Sequence, residues 1–197
     1  MRNLIYSIQA LILTPLLLMY LITTQQDTQG VIREDFKAWC QYKSRKYSWF
    51  QFLKLFAEYP EFRSVVYTRL KHKRFFISWL FKGQTSLYIN NNQPIGLGLL
   101  IQHGFSTIIN HKSIGCNCKI YQQVTIGYKD SKTPILGNNV TVCCGAKVIG
   151  DVTIGNDVII GANAVVTKDI PDHCIVAGVP AVIIKRRNTI DEEWVKA

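Results

Sequence analysis

An aliphatic side chain returns every six residues through the second half of this chain. From Leu136 the series runs Val142, Val148, Ile154, Ile160 and Val166. Four places after each member stands another small or aliphatic residue: Val140, Ala146, Val152, Val158, Ala164 and Ile170. Earlier runs keep the period, one through Ile89, Ile95 and Ile101, another through Ile108, Ile114, Ile120 and Ile126. They are joined by a seven-residue step (101 to 108) and a ten-residue step (126 to 136). A chain with this period is not an amphipathic helix. It turns a corner every six residues and sends one aliphatic side chain inward from each flat side. Gly137, Gly155 and Gly161, with Asn138-Asn139, Asn156-Asp157 and Asn163, are corner residues that tolerate left-handed backbone. Three sides close a triangular coil, coils stack as in other solenoids, and the rows from 89 to 166 predict about four coils.

The remaining zones differ in charge. The net charge is +10, with 23 Lys and Arg against 13 Asp and Glu, a balance that suits a phosphate-bearing ligand or another anionic partner. Residues 1–26 form an apolar segment. As a helix, Leu4 to Thr24 would run roughly 31 Å at about 1.5 Å per residue, against a bilayer core of about 30 Å. No small-residue cleavage site follows it, so a membrane-associated helix is expected rather than a cleaved signal. Arg33, Lys37, Lys43, Arg45 and Lys46 come after the segment, which places the rest of the protein on the cytoplasmic side. Residues 27–82 are basic and rich in aromatics. Trp49, Phe52, Leu53 and Phe56 mark a helical face, and Tyr59-Pro60 breaks it before a second helix. This region reads as a helical cap or a surface on anionic lipid. No nucleic-acid motif is present and no nucleic-acid partner is expected. The six cysteines show no CxxC spacing and read as reduced wall and core residues, with no zinc site.

The Ile-Gly repeats and the ending Ala177-Gly178-Val179-Pro180-Ala181 resemble the hexapeptide-repeat acyltransferases. Gly98-Leu99-Leu100-Ile101-Gln102-His103-Gly104 resembles the catalytic segment of their serine acetyltransferase-like branch, and Tyr59-Pro60-Glu61-Phe62 its helical region. The resemblance covers roughly residues 31–187 and implies a mainly β fold: a left-handed parallel β-helix over 83–187, then a C-terminal tail over 188–197. It also implies homotrimers with active sites between subunits, and acetyl transfer from acetyl-CoA to a hydroxyl.

The resemblance makes His103 the base, a role that suits histidine chemistry, and His103 lies at a phase break of the repeat. His111 is the alternative base. His72 and His173 read as incidental, and His103, His111 and His173 lack the spacing of a three-His metal site, so no metal is expected. Gly145, Ala146 and Ala162 match turns that line the pantetheine channel in the family. Lys168 and Lys185 match cations near the nucleotide phosphates, with Arg186 and Arg187 compensating for Val182. The chain also departs from the serine-specific pattern. Gln102 stands where the branch has Asp, Tyr88 where it has a second acid, and Asn90 where it has His. The Lys129–Thr133 loop lacks an Arg-His pair. Neutral groups at Gln102, Tyr88 and Asn90 suit a sugar hydroxyl. The expectation is therefore an O-acetyltransferase at the membrane acting on a surface polysaccharide or its lipid-linked precursor. Serine O-acetylation is the first alternative, and an inactive trimeric scaffold at the membrane is the second.

Overall fold

The six-residue period becomes three short strands per coil. The computed structural model describes residues 26–79 and 81–197, and the chain divides into two compact units, Met1–Thr85 and Ser86–Ala197. The second unit carries β1 (Leu87–Ile89), β2 (Leu100–Ile101), β3 (Thr107–Ile109), β4 (Ser113–Ile114) and β5 (Lys119–Ile120). It continues with β6 (Thr125–Gly127), β7 (Ile135–Leu136), β8 (Thr141–Val142), β9 (Lys147–Ile149) and β10 (Thr153–Ile154). It ends with β11 (Ile159–Ile160), β12 (Val165–Val166), β13 (Cys174–Ala177), β14 (Val182–Arg186) and β15 (Val195–Lys196).

One side of the triangle stacks β1, β3, β6, β9 and β12, a second stacks β4, β7 and β10, and the third stacks β2, β5, β8, β11 and β13. Pairing between coils is parallel, as in β3–β6, β7–β10 and β8–β11. Ile95 bridged to Ile114 and Ile170 bridged to Ile154 complete the second side at its ends. This makes about five coils, more than the repeat count predicts, because the irregular first and last coils are also closed. At the far end β14 and β15 add to the third sheet antiparallel.

The inward column of the first side corrects the repeat phase. Ile109, not Ile108, is in register with Ile126, which aligns with Val148 and then Val166. Ile109 is fully buried while Ile108 is 47% exposed. The inward step from Ile101 is therefore eight residues, then five to Ile114. Each buried aliphatic contributes about 1.5–3 kcal/mol relative to exposure, so the register slips to keep the column filled. The ten-residue step holds a protruding hairpin in which Lys129 bridges Lys132. Asp130 and Ser131 both take left-handed φ at its tip, the pattern of a type I′ turn.

Corners have their own columns. A Cβ on Gly137 would lie 2.8 Å from the backbone of Gly155, so the stacked corners admit no side chain there. Asn117, Asn139, Asp157 and His173 repeat the left-handed conformation from coil to coil. Beside them Asn138 Oδ1 accepts from Cys116 N at 2.8 Å, Asn156 Oδ1 from Asn138 N at 2.8 Å, and Asp172 Oδ1 from Asn156 N at 2.7 Å. This ladder satisfies backbone donors that the coils leave over.

The first unit holds α1 (Gln26–Tyr42), α2 (Trp49–Glu58) and α3 (Pro60–Leu70), then a 3₁₀ turn (Lys71–Arg74) and α4 (Phe75–Ser78). Ser48 caps α2 by accepting from Gln51 N at 3.2 Å, and Pro60 opens α3. Phe36, Phe52 and Phe62 form one aromatic cluster with Trp39. Several of the basic residues read as a free surface are engaged internally. Arg69 forks onto the buried Asp35 at 2.8 and 3.1 Å, Arg63 donates to the Phe56 and Ala57 carbonyls at the end of α2, and Arg45 lies 3.6 Å from Glu58. No helix among the described residues is long and apolar enough to cross a membrane. The segment 1–26, expected as a membrane-associated helix, lies outside them save for Gln26, where α1 begins.

Candidate active site

His103 sits where the register slips. At the corner between the third and first sides, Gln102 N donates to Ile120 O, Tyr121 N to Val142 O, Cys143 N to Ile160 O and Gly161 N to Val176 O. These bonds stack Gln102, Tyr121, Cys143 and Gly161 as one column. The residues after them (His103, Gln122, Cys144 and Ala162) follow beside it. The other corners of the column turn directly, but the first carries two extra residues. His103 (φ 63°), Gly104 (φ 55°) and Ser106 (φ 52°) are all left-handed there. A left-handed non-glycine residue costs of order 1 kcal/mol or more, and here it swings the exposed His103 out of the regular stack. Gln102 is only 9% exposed, and its amide nitrogen is 2.8 Å from His103 Nε2.

The other sequence-derived residues divide between corners. Gly145 (φ 73°) and the exposed Ala162 lie on the His103 corner, two and three coils further along. Three coil steps span about 14 Å at about 4.8 Å each. A strip of this length, with Cys143, Cys144, Gly145 and Gly161 half-buried and Ala162 exposed, is long enough for an extended, uncharged amide arm such as pantetheine. Ala146 is fully buried, so it belongs to the core rather than to a channel wall. Lys168, exposed just after β12, lies at the next corner of the triangle, and Lys185 is exposed on β14. Arg187, expected near phosphates, is taken up elsewhere: it forks onto the buried Asp157 at 2.7 and 2.5 Å. His173 Nδ1 also meets Asp157 at 2.8 Å. Burial works to raise the Asp157 carboxyl, but hydrogen bonds from Arg187 and His173 outweigh it and hold the group below its usual range. This trio was missed because Arg187 is thirty residues from its partner and no local pattern joins them.

Tyr88 is 55% exposed on β1, in register with Ile108. Asn90 is at the opposite end of that side, where its amide donates to Asn110 Oδ1 at 2.9 Å. His111 is 1% exposed, so it cannot meet an acceptor in this conformation. Burial pushes its pKa below the ordinary histidine value, against a partial upward pull from the carbonyls of Pro94, Ile109 and Gln93. Two of the thiols are held protonated. Burial pushes Cys118 up to about 11 and raises Cys143, where Cys144 adds to the rise and Lys119 opposes it. Neither suits a thiolate nucleophile.

The model of the family described as "Bacterial transferase hexapeptide (six repeats)" matches residues 133–168. The serine acetyltransferase of Helicobacter pylori is 37% identical over 142 residues, covering 65% of this chain and 83% of that protein. The chain belongs to the hexapeptide-repeat transferase family. This hexapeptide-repeat transferase is also 37% identical to the serine acetyltransferase of Synechococcus elongatus over 142 residues, covering 65% of this chain and 58% of that longer protein. Its fold matches the serine acetyltransferase of Brucella abortus in complex with coenzyme A, with a TM-score of 0.63 and 26% identity over 80% of this chain and 67% of that one. The Neisseria gonorrhoeae serine acetyltransferase gives a TM-score of 0.69 at 21% identity, over 84% of this chain and 68% of that one, a likeness of fold.

These findings overturn the expected place at the cytoplasmic side of a membrane. That expectation rested on the apolar segment 1–26 and on the basic residues that follow it, with a lipid-linked acceptor to match. The relatives are named for serine, no described helix can cross a membrane, and Arg45, Arg63 and Arg69 are spent inside the helical unit.

Proposed function

We propose that this protein is an acetyl-CoA-dependent serine O-acetyltransferase, working as a homotrimer with His103 as general base. The kinship with serine acetyltransferases, 83% of one of them covered at 37% identity, carries the reading. The coenzyme A complex of a relative with the same fold supports the donor. In the reaction the serine hydroxyl oxygen attacks the thioester carbonyl while His103 takes its proton. His103 returns that proton to sulfur as the C–S bond breaks, leaving the acetyl ester and free coenzyme A. The strip from Cys143 to Gly145 and on to Ala162 holds the donor arm along the corner, with the thioester end at the His103 loop. Lys168, just after β12, and Lys185, on β14, are exposed cations of the late coils that would meet the phosphates.

One observation favours a second reading, transfer to a sugar hydroxyl. A free amino acid brings an ammonium and a carboxylate, and burying either without an opposite charge costs several kcal/mol. Beside His103 stands neutral Gln102, Asn90 is bonded to Asn110, and the protruding hairpin offers Lys129 and Lys132, the latter 2.7 Å from Asp151. Steady-state kinetics with acetyl-CoA and either serine or neutral saccharides separates the two. Serine turnover at kcat/KM above about 10⁴ M⁻¹s⁻¹, in the range of enzymes on their own substrates, supports the first reading. A value about 10³-fold below that for a saccharide supports the second. In either case His103→Ala is expected to lower kcat by about 10²-fold or more with unchanged folding. A variant within threefold of the parent would remove His103 from the mechanism.

A further inference from the structure

Consecutive side chains on an extended strand point to opposite sides, yet Gln102 and His103 meet. The left-handed φ of 63° at His103 folds the imidazole back over the residue before it, bringing Nε2 within 2.8 Å of the Gln102 amide nitrogen. Gln102 is itself anchored: its backbone N–H donates to Ile120 O at 2.8 Å, and it is only 9% exposed. A rigid, nearly buried amide thus faces one nitrogen of an exposed ring that carries a conformational cost for being there.

An amide nitrogen can only donate, so the nitrogen it faces must accept. Nε2 therefore holds the lone pair, and the proton of the neutral ring sits on Nδ1. Which nitrogen carries the proton is decided by such a partner rather than by the ring alone, and a neutral histidine left to itself prefers the proton on Nε2. We propose that Gln102 is a positioning residue that selects the Nδ1–H tautomer of His103 and so makes Nε2 the basic atom. The acceptor hydroxyl replaces the amide hydrogen bond at Nε2 when it binds, and Nε2 takes the proton from that hydroxyl. Gln102 acts through the ring rather than on the acceptor or the thioester. A glutamate carboxylate, long enough to be held against Nε2 as the Gln102 amide is, would do the opposite: it accepts only, so it would draw the proton to Nε2 and leave the facing nitrogen without its lone pair. The inference rests on the reading of His103 as base, but its primary test does not use activity.

The test is nitrogen NMR of the full chain labelled with ¹⁵N-histidine, at about pH 8.5, well above the ordinary histidine pKa of about 6.5. His103→Gln assigns the resonance. The expected result is a protonated Nδ1 and a pyridine-type Nε2 in the unsubstituted protein. In Gln102→Glu, of nearly equal size, the proton moves to Nε2. Gln102→Leu, which removes the donor altogether, gives the same direction. Alongside, Gln102→Glu lowers kcat by about tenfold or more, a fraction of the whole general-base contribution, while KM for acetyl-CoA stays within about twofold. A proton on Nε2 in the unsubstituted protein, or one that stays on Nδ1 in both variants, overturns the proposal. So does a Gln102→Glu variant whose acceptor KM rises at constant kcat, because that is the mark of a direct acceptor contact. Should the NMR result hold while His103→Ala stays active, the tautomer assignment stands and the base reading falls, so the two failures are told apart.

Discussion

His111 puts a titratable ring into the wall of the second coil. It is 1% exposed, and neither ring nitrogen meets a hydrogen-bond partner of good geometry among the described residues. Burial lowers its pKa in the fold, while the unfolded chain titrates near the ordinary value of about 6.5. Between those two values the unfolded chain binds more protons, so stability must fall as pH drops below about 6.5 and level off once the folded ring is also protonated. Denaturant midpoints measured from pH 8 to pH 5 should show this acid loss. His111→Leu, which cannot take the proton, should flatten it. An unchanged slope in that variant would assign the loss to other groups. His103 differs by position, eight residues earlier, at a left-handed corner and exposed. Sequence alone places both histidines in irregular stretches, and only burial separates the exposed ring from the one in the wall.

At the scale of elements, the two antiparallel strands β14 and β15 close the solenoid. They are held by more than sheet pairing. Arg187, just after β14, forks onto Asp157 at the corner before β11, lies over the Trp194 ring with its guanidinium carbon 4.2 Å from the centroid, and donates to Glu192 O. Asp157 also accepts from His173, one coil further on. Removing Arg187 leaves a nearly buried carboxylate with only the histidine. Arg187→Ala should cost roughly 2–3 kcal/mol, below the range of about 3–5 kcal/mol for breaking a fully buried pair because part of the arginine is exposed. Thermal denaturation reads the loss, and limited proteolysis should cut first after residue 187. A variant with parental Tm and an uncut tail would show that strand pairing alone closes the solenoid. The Asp157 carboxyl lies below its usual range, so this contribution is complete above about pH 4 and fades only as pH falls through the lowered value.

For the whole molecule, the net charge of +10 is the property a polyanionic donor meets first. Internal pairing takes up some of the cations without changing that sum, at Arg69 with Asp35 and Arg187 with Asp157. Lys168 and Lys185 remain exposed. Attraction between exposed cations and the phosphates of coenzyme A weakens as the Debye length shrinks from about 10 Å at 0.1 M salt to about 3 Å at 1 M. KM for acetyl-CoA is therefore expected to rise several-fold from 0.05 to 0.5 M salt with kcat nearly constant. KM for an uncharged acyl thioester of pantetheine should not move. Equal salt effects on both donors would place the sensitivity in the fold rather than in recognition of the phosphates.

The period of six determined the solenoid. Leu136 through Val166 needs no distant partner to be read, because each coil repeats the same inward position and each corner the same turn chemistry. Gly137, Asn139 and Asp157 fall where the backbone demands them. Local order likewise made the break at Tyr59-Pro60 legible, since a residue before proline leaves the α region. What tertiary structure decided is whatever depends on register between coils or on contacts far apart in sequence. Ile108 and Ile109 are both aliphatic, and only pairing with Ile126 shows which one is inward. Arg63 and Arg69 look like surface charge until helix ends and Asp35 come within reach. Gln102 and His103 are neighbours in any reading of the chain. Their side chains meet only because the two extra residues at that corner turn His103 left-handed, and the contact that sets the proton on the ring arises from that turn.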